Sequence, residues 1–280
     1  MRMKQELRVA AALEYARSHG LHALVIARGD EIIVQEYGNG FQSDAAHPLY
    51  SGTKSFWGVA ALRASADGLL ELDEPVADTI AVWRDDPWKR LVTARMLLLM
   101  TAGFGFGGLG AGVPTYDRAL ATPLKNEPAT RFTYSGISFQ AFGALFARKL
   151  APHNLTPHEY LHERVLDPAG VSIANWRKLA DGTSPLPTGA YLRADAWLAY
   201  GRFVLRAHSE LKPCFEGSAA NPRYGLGWWL GSKATPSDLI YASGSAGQAL
   251  YLAPSCDLAI VHFSKSSSYR HEVFLKRLFD

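Results

Sequence analysis

The spacing of apolar and polar residues changes character along the chain, and each change marks an element. Up to Gly20, apolar positions such as Leu7, Ala11, Leu13 and Tyr15 are interleaved with charges, the pattern of an amphipathic helix. Two β-rich runs follow, Leu21 to Ala27 and Glu31 to Tyr37, and Arg28-Gly29-Asp30 between them reads as a hairpin turn. From Ser51 to about Asp67 the pattern is helical, with Gly68 as C-cap. Ser55 to Leu62 is apolar nearly all round, so this helix is expected at the centre of the molecule. The middle of the chain, to about residue 187, reads as helix and loop, broken by prolines and a glycine-rich stretch from Gly103 to Gly112. A helix is expected from Asp195, its cap, to Ala207. Strands are expected over Gly225 to Leu230, Leu239 to Ala242, Gln248 to Ala253 and Leu258 to Phe263, and a last helix from Tyr269 to Phe279. The order predicts an α+β fold, with one antiparallel sheet drawn from both chain ends and flanked by the N- and C-terminal helices. A mainly helical lobe is inserted between the two halves. The expected division is a single domain over 1–280, with an α/β lobe at about 1–50 and 190–280 and a helical lobe at about 51–189.

Composition narrows the functions. A hydrophobic fraction of 48% over 280 residues supports a real core. The formal charge is +3, and Lys and Arg are scattered without a basic stripe, so nucleic acid is not an expected partner. Cys214 and Cys256 sit far apart in no metal-ligand spacing and are expected as free thiols. The charged N-terminal stretch lacks the apolar core of a signal peptide. No run is long enough to span a membrane. The expected location is cytoplasmic as written, or periplasmic or secreted if a leader has been trimmed. Oligomeric state has no reading in the sequence.

Ser51-Gly52-Thr53-Lys54 is an S-x-x-K element. A serine hydroxyl is a poor nucleophile until a neighbouring base takes its proton. On a helix, residues three apart share a face, which sets the Lys54 amine beside the Ser51 oxygen, and burial makes a lysine a usable base. The bare four-residue match is weak; Ser209-Glu210-Leu211-Lys212 is another, at a helix end before Pro213. Its company gives Ser51 its force. Leu49 to Phe56, Asp67 to Val76, Leu91 to Gly103, Glu127 to Gly136, Tyr224 to Trp229 and Ser243 to Gln248 follow in order.

Together these segments resemble the serine β-lactamase-like superfamily, that is, class C β-lactamases and penicillin-binding-protein-like serine hydrolases. The third region, with Gly247-Gln248, looks closer to the esterase and nylon-oligomer-hydrolase branch. The resemblance implies that Ser51 is acylated, that Lys54 is its first proton partner, and that Tyr134 shuttles a proton to the leaving group. It also implies an oxyanion hole from the backbone N–H groups of Ser51 and Ser245. Gly136, Gly244, Phe104, Tyr116 and Trp229 are the expected substrate-facing residues, with Phe106 and the glycine-rich stretch in the cleft wall. Two positions depart from the family pattern: Gly136 stands where an asparagine is usual, and Ala242 where a lysine or histidine binds a substrate carboxylate. The expected activity is acyl-enzyme hydrolysis of a small ester or amide, with weak or no β-lactamase activity and no cofactor or metal. An amidase or peptidase of nylon-oligomer or D-amino-acid type is an alternative. A catalytically silent binding or sensing homologue is another, kept open by Gly136.

Two motifs compete. His158-Glu159-Tyr160-Leu161-His162 is a literal H-E-x-x-H, so a zinc hydrolase at His158 and His162 is a further alternative. Against it, Thr156-Pro157-His158-Glu159 is a capping box with proline at the first helical position. Gly103 to Gly108 matches G-x-G-x-x-G but has no βαβ unit around it, which a dinucleotide site requires.

Overall fold

The computed structural model describes residues 6–231 and 236–280. In chain order the elements are α1 (Val9–Ser18), β1 (Leu21–Arg28), β2 (Glu31–Tyr37), β3 (His47–Pro48), α2 (Ser55–Ala66), α3 (Val76–Thr79), α4 (Ala94–Leu98), α5 (Tyr116–Ala121), α6 (Gly136–Leu150) and α7 (Pro157–Leu161). There follow β4 (Asn175–Trp176), β5 (Ala190–Leu192), α8 (Ala194–Arg206), β6 (Trp229–Leu230), β7 (Ile240–Gly244), β8 (Gln248–Ala253), β9 (Leu258–Ser264) and α9 (His271–Phe279). The six-stranded sheet runs β2-β1-β9-β8-β7-β6, and its pairings are antiparallel. The first hairpin and the last four strands thus share one sheet, and helices α2 to α8 lie between them in sequence. A small second sheet, β3-β5-β4, sits beside Ser51.

Both faces of the large sheet are covered, which is why its central strands carry apolar residues at successive positions. Leu24, Ile26, Tyr251 and Ile260 pack with Phe274 and Leu278 of α9 and with Ala12 and Tyr15 of α1. Val25, Leu250, Leu252 and Val261 face the other way, into the core that holds Trp57, Trp197 and most of α2. Among the described residues, no helix is long and apolar enough to cross a membrane. Both Cys214 and Cys256 are free and buried.

Several element boundaries differ from the sequence reading, each for a local reason. The N-terminal helix begins at Val9; residues 1–5 lie outside the described residues. Ser51 belongs to a 3-10 turn, Tyr50–Lys54, that leads into α2. Asp195 lies inside α8, where it pairs with Arg193, and Arg193 is the N-cap residue. Of Gly225 to Leu230 only Trp229 and Leu230 pair in the sheet. The preceding loop is held against α2, and Gly227 lies in the left-handed region (φ +88°) with its backbone against the Lys54 carbonyl. The last helix starts at His271, two residues later than the pattern suggests.

Candidate active site

Ser51 owes its position to an unusual residue before it. Tyr50 sits in the left-handed region (φ +47°) without being glycine, a conformation that costs free energy and recurs at functional turns. The bend swings the chain from β3 into the 3-10 turn. Ser51 is thereby set at the edge of a cavity of about 460 Å³ that Tyr50, Ser51, Lys54, Tyr134, Trp229, Gly244 and Ser245 help to line.

Lys54 lies one turn on, 1% exposed, with its Nζ 2.9 Å from Ser51 Oγ and 3.0 Å from the Pro187 carbonyl. Burial lowers its pKa to about 7, so near neutrality a large fraction of the amine is unprotonated and can accept a proton. Its orientation is fixed at a distance. Trp57 Nε1 donates to the Leu186 carbonyl at 2.7 Å. The buried Gln140 of α6 accepts from Leu186 N at 2.8 Å and donates to the Pro114 carbonyl at 2.7 Å. Gln140 therefore ties the strand of chain that carries the Pro187 carbonyl to the end of the glycine-rich loop.

Tyr134 completes the group. It is hydrogen-bonded to Ser51, its ring centroid is 4.9 Å from Lys54 Nζ, and it stacks on Trp229 at 6.0 Å. Burial raises its phenol to about 12, against the Ser51 hydrogen bond that lowers it. The phenol therefore stays protonated at neutral pH and is able to donate. Ser245 follows β7 at the mouth of the same cavity. Ser51 N–H opens a helical turn, where the first N–H groups have no partner within the turn.

The structure redistributes the substrate-facing positions. Trp229 and Gly244 line the cavity, whereas Phe104, 2% exposed, packs on Trp83 in the core. Tyr116 also lies away from the cavity lining, its ring against Gly143. Phe106 points out, 76% exposed. The loop meets the cavity through Gly108, Leu109 and Gly110 instead. Gly136 is buried at the start of α6 and faces this loop: a Cβ there would come within 1.9 Å of the Gly108 carbonyl. No asparagine side chain fits, and the Pro187 carbonyl is the second partner of the lysine. Ala242 is 1% exposed on the core side of β7; its neighbours Tyr241 and Ser243 line the cavity, with His271 from α9 beside them. Pro187 and His271 carried no sequence signal of this role, and Ser243 lay within the Ser243 to Gln248 segment without being singled out. Gln140, a lone amide in the apolar run Phe139 to Phe146, did carry one.

The residues of the competing motif are engaged elsewhere. Thr156 and Glu159 form the capping box. His158 packs edge-on against both Trp57 and Trp176, its pKa lowered to about 3 by burial first, and then by Lys178 and His162. His162 is half-exposed, 3.6 Å from Asp167. Among the described residues, no group of three or more His, Cys, Asp or Glu could hold a metal ion.

The Beta-lactamase family model matches residues 8–277. The chain belongs to the beta-lactamase family. No curated protein matches it. Three solved structures illustrate where this beta-lactamase-family chain falls. EstCE1, a hydrolase with promiscuous acyltransferase activity, is similar at TM-score 0.77 and 16% identity, covering 96% of each chain. An octameric penicillin-binding protein homologue from Pyrococcus abyssi gives TM-score 0.75 and 16% identity over 96% of this chain and 75% of that one. A Bacillus anthracis protein assigned as a 6-aminohexanoate-dimer hydrolase gives TM-score 0.74 and 16% identity, over 93% and 78%. At these identities the likeness is one of fold.

Proposed function

We propose that this chain is a serine hydrolase that cleaves small neutral esters or amides through an acyl-enzyme at Ser51. The observation that carries the reading is the buried Lys54 amine, 2.9 Å from Ser51 Oγ and depressed to about 7. In the proposed sequence Lys54 takes the Ser51 proton as Oγ attacks the substrate carbonyl carbon. The negative charge that develops on the carbonyl oxygen is met by the N–H groups of Ser51 and Ser245. The protonated Tyr134 phenol donates to the departing oxygen or nitrogen and regains a proton from the Lys54 ammonium. Water then attacks the acyl group, giving up its proton along the same path, and Ser51 is released.

The cavity's lining bears on substrate class. Lys54 is its one Lys or Arg among the described residues, and it is committed to Ser51 and the Pro187 carbonyl. A carboxylated β-lactam is left without a dedicated cation for its carboxylate or a side-chain amide for its acylamino group. Each such lost contact costs about 1.5–3 kcal/mol, roughly a hundredfold or more together. A small neutral ester makes neither contact. Steady-state assays on one preparation test this. p-Nitrophenyl butyrate turnover is expected, with kcat/KM rising through about pH 7 as Lys54 loses its proton, and Ser51→Ala abolishes it. A nitrocefin kcat/KM equal to or above the ester value contradicts the substrate class, and ester turnover that survives in Ser51→Ala contradicts the site.

A further inference from the structure

On the sheet side of the cavity a second set of polar groups is wired together, and the proposed mechanism does not use it. Ser243 Oγ lies 2.9 Å from His271 Nε2, His271 Nδ1 lies 2.7 Å from Tyr251 Oη, and Tyr251 Oη lies 3.0 Å from Tyr269 Oη. Ser243 and His271 line the cavity, while Tyr251 and Tyr269 are buried behind them. Two neighbouring strands and a helix further along the chain meet here: β7 supplies Ser243, β8 Tyr251, and the start of α9 His271. The Ser243 hydroxyl at the cavity surface is thus held by α9 through His271, which is itself held by β8 through Tyr251.

Hydrogen counting gives the set its property. Each hydroxyl has one proton and the neutral imidazole has one. If His271 carries it on Nε2, that N–H donates to Ser243, Tyr251 donates to Nδ1, Tyr269 donates to Tyr251, and the Ser243 O–H is left to donate into the cavity. If His271 carries it on Nδ1, that N–H donates to Tyr251, which donates to Tyr269. Nε2 then accepts the Ser243 O–H, and the Ser243 lone pairs face the cavity. Both arrangements satisfy every link of the chain, and neither places a charge on it. Burial, opposed by the nearby Glu272 carboxylate, holds His271 at about 4, so the imidazole is neutral wherever Lys54 can act as a base.

We propose that Ser243, held by His271 and Tyr251, is a specificity-determining residue that hydrogen-bonds a second, neutral polar group of the substrate, as donor or acceptor, and so selects carboxamide- or ester-bearing substrates over carboxylates. This inference rests on hydrolysis at Ser51. His271 and Tyr251 act through Ser243 as positioning residues. A carboxylate at the same place needs a donor without a compensating cation, and an alkyl group leaves the Ser243 hydroxyl dry and unpaired, which is the costly case.

The test uses two isosteric ester series. One varies the acyl end: p-nitrophenyl esters of 4-carbamoylbutanoate, hydrogen glutarate and 5-methylhexanoate. The other varies the leaving group: 4-carbamoylphenyl, 4-carboxyphenyl and 4-isopropylphenyl butyrate. In at least one series the wild type is expected to favour the carboxamide over both partners in kcat/KM by about tenfold, the worth of one good hydrogen bond. Ser243→Ala and His271→Ala bring the carboxamide-to-isopropyl ratio to about one, through KM more than kcat, and His271→Gln, whose amide can both donate and accept, restores part of it. Circular dichroism and thermal melts check folding, and the Ser243→Ala arm decides alone if His271→Ala is unfolded. A ratio unchanged in Ser243→Ala, or a wild-type preference for the carboxylate, overturns the proposal. Fluorophosphonate labelling of the same preparations separates the two readings. A wild type labelled at Ser51 with an unchanged ratio overturns the specificity role alone, and an unlabelled wild type overturns the hydrolase reading beneath it.

Discussion

Lys54→Met separates catalysis from stability at the residue where the two conflict most. Lys54 is buried and its pKa falls from 10.5 to about 7. In the unfolded chain it regains the ordinary value, so between about pH 7 and 10.5 unfolding takes up a proton, and stability rises with pH across that window. Below pH 7 both states are protonated and the folded state carries the full penalty. The displacement corresponds to a penalty of about 4 kcal/mol at pH 7, which vanishes above pH 10.5. Methionine has a similar length and no charge to bury, so it escapes this cost. It leaves the buried Pro187 carbonyl, now 3.0 Å from Nζ, without its donor, at about 1–3 kcal/mol. The variant should therefore be more stable than wild type at pH 7 by roughly 1–3 kcal/mol, or about 2–5 °C in Tm. It should also lose about 10²–10⁴-fold in kcat on p-nitrophenyl butyrate. The stability advantage should shrink and reverse by pH 10.5, because only the lost hydrogen bond then remains. Urea unfolding of both proteins at pH 7 and pH 10 measures it, and groups common to both cancel in the difference. A gap that does not change with pH would refute the assignment of Lys54 as a buried, neutralised base.

Other outcomes follow from the same geometry. Gly136→Asn should not confer nitrocefin turnover; its Cβ would meet the Gly108 carbonyl at 1.9 Å, so a lower Tm and weaker esterase activity are expected, checked by thermal melt and ester assay. EDTA should leave ester turnover unchanged, and turnover lost to the chelator and restored by zinc would reinstate the His158 and His162 motif. His158→Ala should retain kcat but lower stability by roughly 2–4 kcal/mol in urea unfolding, because it removes a buried ring packed against both Trp57 and Trp176.

What could be read in the sequence, and what could not, divides along physical lines. The β1–β2 hairpin and α2 were legible because their periods are local: the turn residues and the all-round apolar run require no partner to be recognised. Ser51, Lys54 and Tyr134 were legible as an ordered set of motifs, and the structure brings them together. Phe104 and Tyr116 were misplaced because an apolar residue near a glycine-rich loop can face the cleft or the core. Here the backbone of Gly108 to Gly110 supplies the wall. Gly136 looked like a lost substrate contact, when the deciding fact is a backbone carbonyl 28 residues earlier in the chain. Pro187 acts through its carbonyl, which every residue type possesses, so residue type cannot reveal it. The Ser243, His271 and Tyr251 chain depends on α9 meeting β7 and β8, a long-range contact that no local pattern encodes.

The most direct test of the central claim is to treat the protein with a fluorophosphonate at pH 7.5, digest it, and locate the adduct by mass spectrometry. One adduct per chain on the peptide containing Ser51 is the predicted result, lost in Ser51→Ala and strongly slowed in Lys54→Met. An adduct on a peptide containing Ser209, Ser243 or Ser245, or no adduct on folded wild-type protein, would contradict the account.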